Sequence, residues 1–179
     1  MATKEEKKNM DNLSINRQKS HTISLLVANK PGVLLRISLV FSRRAFNVES
    51  LVVSAALDGK YSRMTISAQG DIKVLEQIIK QLAKLVDVVH ATEHKDLNSV
   101  ERELALIKIK VKKDRRSELM LVVDHFKAQT VDFTHGSVII QVVGTTEKVD
   151  SMIKMLSEFN MVECVRTGKV LMARGEELT

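Results

Sequence analysis

The sequence predicts an α+β protein built from two tandem ferredoxin-like βαββαβ modules, and three observations lead there. Apolar residues recur at offsets 0, 3, 4 and 7 in three stretches, Leu75-Ile78-Ile79-Leu82, Leu119-Val122-Val123-Phe126 and Val149-Met152-Ile153-Leu156, which is the stripe of an amphipathic helix. Between such stretches the pattern switches to alternation, clearest where Ile107, Ile109 and Val111 interleave with Lys108, Lys110 and Lys112. The order strand, helix, strand, strand, helix, strand then occurs twice, in about 70 residues each time.

Residues 1–20 are polar, charged and without apolar periodicity, so a disordered extension is expected. The first module, residues 21–95, opens with a strand over His21 to Ala28. A helix over Val33 to Ala45 follows, with Leu34, Ile37 and Phe41 on one face. Strands over Asn47 to Ala56 and Tyr61 to Gln69 flank Asp58-Gly59, a strong hairpin signal. Asp71 can cap a helix running to Lys84, and a fourth strand covers Val86 to Thr92. After a short polar linker, Lys95 to Val100, the second module fills residues 96–179. It has a strand over Glu103 to Lys112, a helix around Leu119 to Phe126, and a hairpin over Gln129 to Val143 turning near His135-Gly136. A helix after Gly144-Thr145-Thr146 and a strand over Met161 to Arg166 complete it.

Composition limits the function classes. The chain has 179 residues, 44% hydrophobic and 28% charged, the profile of a globular protein. The longest nearly apolar stretch, Leu51 to Leu57, is too short for a membrane span, and no secretory signal is visible. The single cysteine, Cys164, sits among Met161, Val162 and Val165 and is expected to be a buried small hydrophobe. Together these point to a cytoplasmic protein without a membrane partner. The net charge of +6 invites a nucleic-acid reading, but residues 96–179 are net neutral and aromatics are only 3%, too few for base stacking. Lys108, Lys110, Lys112, Lys113, Arg115 and Arg116 form one basic run, expected to be a solvated face.

No catalytic constellation stands out. There is no phosphate-binding loop of the P-loop kind and no Gly-x-Ser-x-Gly elbow. His90 and His94 share a strand face about 13 Å apart, too far for one metal. A chain without nucleophile, metal cluster or cofactor fingerprint reads as a binder. The candidate site is Asn29-Lys30-Pro31-Gly32-Val33-Leu34, where a strand turns into a helix. Free backbone N–H groups and the positive end of the helix dipole can hold a small carboxylate or phosphate there without a cationic side chain. The same residues also fit a plain strand–helix turn, and the local sequence does not separate the two. The equivalent turn of the second module, Lys112-Lys113-Asp114-Arg115, lacks Gly and Pro, so only the first module carries the loop.

Several strings resemble the small regulatory subunits of acetolactate synthase (acetohydroxyacid synthase). They include Ile23 to Leu34, Phe41 to Arg44, Phe46 to Leu51, Ser62 to Ile66, Arg102 to Lys108, and Arg166-Thr167-Gly168-Lys169-Val170. The resemblance runs from about residue 21 to 175. It implies an N-terminal ACT domain, a C-terminal ACT-like regulatory domain, and a homodimer through the ACT domains. It also implies valine, or a related branched-chain amino acid, bound where two ACT domains meet. The implied partner is a catalytic large subunit using thiamine diphosphate, Mg2+ and FAD in valine, leucine and isoleucine synthesis. This chain would activate that subunit and confer allosteric feedback inhibition, without a catalytic site, metal or cofactor of its own. The family's effector positions match Asn29, Gly32 and Asn47. Physical reading adds the backbone N–H groups of Gly32, Val33 and Leu34 for the carboxylate, and the amide oxygens of Asn29 and Asn47 for the ammonium. Pro31 stiffens the approach, and Val33, Val48 and Leu51 are expected to form an apolar pocket. The alternative is a stand-alone amino-acid-sensing module with no enzyme partner; an RNA- or DNA-binding protein is a third reading.

Overall fold

A computed structural model describes residues 20–94, 99–176 and 179. The extension before Ser20, and the linker at 95–98, lie outside the described residues. The first module comprises β1 (Ser20–Ala28), α1 (Val33–Ser42), β2 (Asn47–Ala55), β3 (Tyr61–Gln69), α2 (Ile72–Leu82) and β4 (Val88–His94). The second comprises β5 (Ser99–Lys110), α3 (Arg116–His125), β6 (Gln129–Phe133), β7 (Ser137–Gly144), α4 (Thr146–Leu156) and β8 (Asn160–Arg166), followed by β9 (Val170–Ala173). Each module is βαββαβ, with strand orders β2-β3-β1-β4 and β6-β7-β5-β8.

The period-two alternation sets the layers. Ile23 opposite Ile66 and Leu25 opposite Met64 point to the helices, where they bury with Ile37, Phe41, Leu75, Ile78 and Leu82. In the second module Ile107 and Ile140 form the equivalent pair, packed against Leu119, Met152 and Leu156. Asp71 caps α2 by accepting from the Lys73 N–H at 2.7 Å, and Thr145 caps α4 by accepting from the Lys148 N–H. Leu75 is fully buried under the sheet. Leu75→Ala is expected to lose about 2–5 kcal/mol of stability, read as a lower urea midpoint at unchanged slope.

Three of the boundaries that differ from the sequence reading have a visible cause. The first helix stops at Ser42, because Ala45 adopts a left-handed φ of 51° and the Phe46 N–H closes back onto the Phe41 carbonyl at 3.2 Å. β4 starts at Val88 because Lys84 and Leu85 still bond back into the last turn of α2. β5 starts at Ser99, four residues before the expected Glu103, because the unforeseen β9 pairs with its first residues, from Ser99 opposite Ala173 to Arg102 opposite Val170. Cys164 is exposed, not buried: it lies on β8, an edge strand exposed along most of its length.

The sheet face away from the helices is polar in the first module. Thr22 lies opposite Ser67 and Ser24 opposite Thr65, and all four are buried. His94 Nε2 lies 2.6 Å from Ser24 Oγ, and burial holds its imidazole below the ordinary value. Residues after β8 reach this side: Gly168 abuts Ser50 and Val52 of β2, and the Arg63 guanidinium donates to the Thr179 backbone oxygen. Arg166 is anchored by Glu103, whose carboxylate accepts at 2.6 and 2.9 Å.

Candidate effector site

The loop 29–32 closes off β1 and hands the chain to α1. Two neighbouring turns hold it. The Asn29 N–H donates to the Lys60 carbonyl at 2.9 Å, and Asn29 Nδ2 donates to the Gly59 carbonyl at 3.0 Å. That bond uses the amide nitrogen and leaves Oδ1 as the group available for a donor. On the other side, the Ala28 N–H donates to the Asp87 carbonyl at 2.8 Å, and Arg36 Nη2 donates to Asp87 Oδ2 at 2.6 Å.

Gly32 occupies the cap position of α1 with φ 81°, a left-handed conformation that glycine adopts without steric cost. No side chain caps this helix, and its first turn carries no acidic residue. The Val33 N–H is partly spent on the Lys30 carbonyl at 3.5 Å, so it is not the free donor expected from the sequence. Its side chain is buried in the core, 3% exposed, and packs with Ile37 and Phe41. The site also has a cation that sequence reasoning missed. Arg36 Nη1 lies 3.2 Å from where a Cβ on Gly32 would stand, which puts a guanidinium beside the helix start. The signal was available, since position i+4 shares a helix face with Gly32.

Leu34 and Val48 face a cavity of about 250 Å³ between α1 and β2, walled also by Ser38, Phe41, Phe46 and Leu51. Its size is slightly under the usual ~300–1,000 Å³ of drug-sized pockets, which suits a small ligand with an apolar end. Pro31 is exposed at the tip of the loop. Val48 and Leu51 are each 37% exposed, and Leu35 and Leu39 add further uncovered apolar surface on α1.

Asn47 does not join Asn29 in one copy of the chain. It opens β2 opposite Gln69, which is opposite Ser20, whereas Ala28 is opposite Tyr61. Nine residues of strand therefore separate the levels of Asn47 and Asn29, about 30 Å at ~3.3 Å per residue.

The basic run is a solvated face in part. Lys108 Nζ pairs with Glu163 at 3.0 Å, Arg115 pairs with Glu118 at 2.8 Å and lies over Phe159, and Arg116 donates to the Thr134 carbonyl at 3.1 Å. Lys110, Lys112 and Lys113 are exposed. Among the described residues, no group of three or more His, Cys, Asp or Glu side chains is placed to hold a metal, and no helix is long and apolar enough to cross a membrane.

Comparison with known proteins agrees over nearly the whole folded chain. Residues 23–90 match a family model described as an AHAS small subunit-like ACT domain, and residues 102–175 match one described as the small subunit of acetolactate synthase. The acetolactate synthase small subunit of Mycolicibacterium smegmatis is 42% identical over 87% of this chain and 92% of its own. That of Haemophilus influenzae is 44% identical over 87% and 96%. The crystal structure of the acetolactate synthase small subunit from Thermotoga maritima superposes with a TM-score of 0.79 at 38% identity, covering 89% of this chain and 99% of that one.

Proposed function

The chain belongs to the acetolactate synthase small-subunit family, and from that premise we propose that it regulates a catalytic subunit by binding valine, or a related branched-chain amino acid, between the first modules of two copies. One observation carries the two-copy site. The loop with Asn29 and Gly32 and the start of β2 with Asn47 lie at opposite ends of one sheet, and β2 is an open edge.

An exposed nine-residue edge strand bearing Val48, Leu51 and Val53 is a template for pairing with its own copy. Antiparallel pairing about a two-fold axis reverses the second strand. It then carries Asn47 of the second copy to the end of the sheet where the first copy's Asn29 and Gly32 stand. Leu34, Leu35 and Leu39 on α1 lose solvent in the same step.

The composite site suits a zwitterion. The carboxylate takes the free N–H groups at the α1 start, with Arg36 alongside. The ammonium takes Asn29 Oδ1 and the amide oxygen of Asn47 from the second copy. The aliphatic end takes the second copy's cavity, which lies beside that copy's Asn47 and is walled by Val48 and Leu51. A methylene more or less in such a pocket is worth about 1–3 kcal/mol, so leucine and isoleucine are expected to compete weakly. Binding that favours one arrangement of the two copies is felt by the catalytic partner through linkage. The thiamine diphosphate, Mg2+ and FAD chemistry is assigned to that partner, and no residue of this chain is assigned to hold those groups.

The test mixes the pure chain with an acetolactate synthase catalytic subunit. The chain alone is expected to form no acetolactate from pyruvate. The mixture is expected to turn over faster than the catalytic subunit alone and to become sensitive to valine. A chain that binds valine in calorimetry but neither co-purifies with nor stimulates the catalytic subunit would instead be a stand-alone sensing module.

A further inference from the structure

Two cross-strand rows run over the polar face of the first sheet: Ser50, Ser67, Thr22 and His94, then Val52, Thr65, Ser24 and Thr92. The second module meets these rows at their β2 end. Gly168 stands there with φ 83°, and a Cβ built on it would lie 2.5 Å from Ser50 Cβ, 2.6 Å from Ser50 Oγ and 3.6 Å from Val52 Cγ2. Any other residue would be strained by the left-handed backbone and would also strike the strand.

The turn that carries Gly168 is tied firmly to its own module. The Thr167 N–H donates to the Leu104 carbonyl at 3.0 Å, the Leu104 N–H donates to Thr167 Oγ1 at 3.2 Å, and Lys169 Nζ lies 3.3 Å from Glu101 Oε2. On the sheet beneath it, Ser67 Oγ, the neighbour of Ser50 along the row, is buried without a hydrogen-bond partner. β2 therefore has two readers. One of its faces walls the cavity through Val48 and Leu51, and the other supports Gly168 through Ser50. Close-packed atoms cannot absorb a displacement, so a shift of β2 moves its contact.

We propose that the Gly168–Ser50 contact is the positioning contact through which β2 sets the seat of the second module, so that effector occupancy in the first module reaches the second. This rests on the effector reading above. The test uses the full chain with its catalytic subunit and compares wild type, Gly168→Ala, Ser50→Gly and the double variant. Gly168→Ala is expected to bind valine within about threefold of wild type in calorimetry, yet to lose at least about fivefold of valine sensitivity in the assay, the lower range of allosteric coupling. Ser50→Gly removes the atoms that the Cβ added at position 168 would strike, so the double variant is expected to recover sensitivity. Unchanged sensitivity in Gly168→Ala overturns the proposal. So does parallel loss of valine binding, or a double variant that stays insensitive, which would place the defect in the strained backbone at 168. A wild-type complex insensitive to valine removes the effector reading itself and this inference with it.

Discussion

Gly32→Asp is expected to abolish valine binding while leaving the fold intact. The substituted side chain would stand at the start of α1 beside Arg36, where the helix dipole stabilises a carboxylate by about 0.3–1 kcal/mol. The left-handed backbone at Gly32 costs a non-glycine residue about 1–2 kcal/mol. The two terms partly offset, so the urea midpoint should fall only slightly. The site does not survive: the new carboxylate lies within reach of Arg36 and repels the effector's own charge. A loss of at least about 100-fold in valine affinity, near 2.7 kcal/mol, is expected from calorimetry. Stimulation of the catalytic subunit should remain. Near-native valine affinity in this variant would remove the α1 start from the site.

The second large effect is expected at the edge strand. Leu51→Lys with Val53→Lys places charges on two exposed positions of β2. Burying such side chains contributes about 1.5–3 kcal/mol each, and like charges brought together across a two-fold add repulsion. The self-association constant, measured by sedimentation, should weaken by at least about 100-fold. Valine binding should fall with it, because the two-copy site needs both chains. A variant that sediments as a monomer yet binds valine as wild type would confine the site to one chain.

How much of this was legible in the sequence depends on the range of the signal. The Asp58-Gly59 hairpin, the Asp71 cap and the three helical stripes are local, and the structure has all of them. β9 was missed because four residues, Val170 to Ala173, carry too little pattern; they form a strand only because Ser99 to Arg102 offer a partner edge. The start of β5 was missed for the same reason. Cys164 was misjudged because apolar neighbours in sequence do not say whether a strand is central or at an edge. In the site, the uncapped helix start at Gly32 was readable from the residues alone. Arg36 stands one helical turn beyond the loop motif, and whether the Val33 side chain faces the loop or the core depends on how α1 packs on the sheet. The distance between Asn29 and Asn47 was out of reach, since it depends on the register of both strands against β3.

That distance makes a mixed dimer the sharpest test. One copy would carry Gly32→Asp and the other Asn47→Ala, with different affinity tags so that only the heterodimer is purified. Across the two-fold, one site then has both defects and the other has none. Calorimetry should find one valine per dimer at close to wild-type affinity, where each variant alone as a homodimer binds weakly or not at all. If each chain held its own complete site, both sites of the heterodimer would be defective, and absence of tight binding would contradict a site shared between copies.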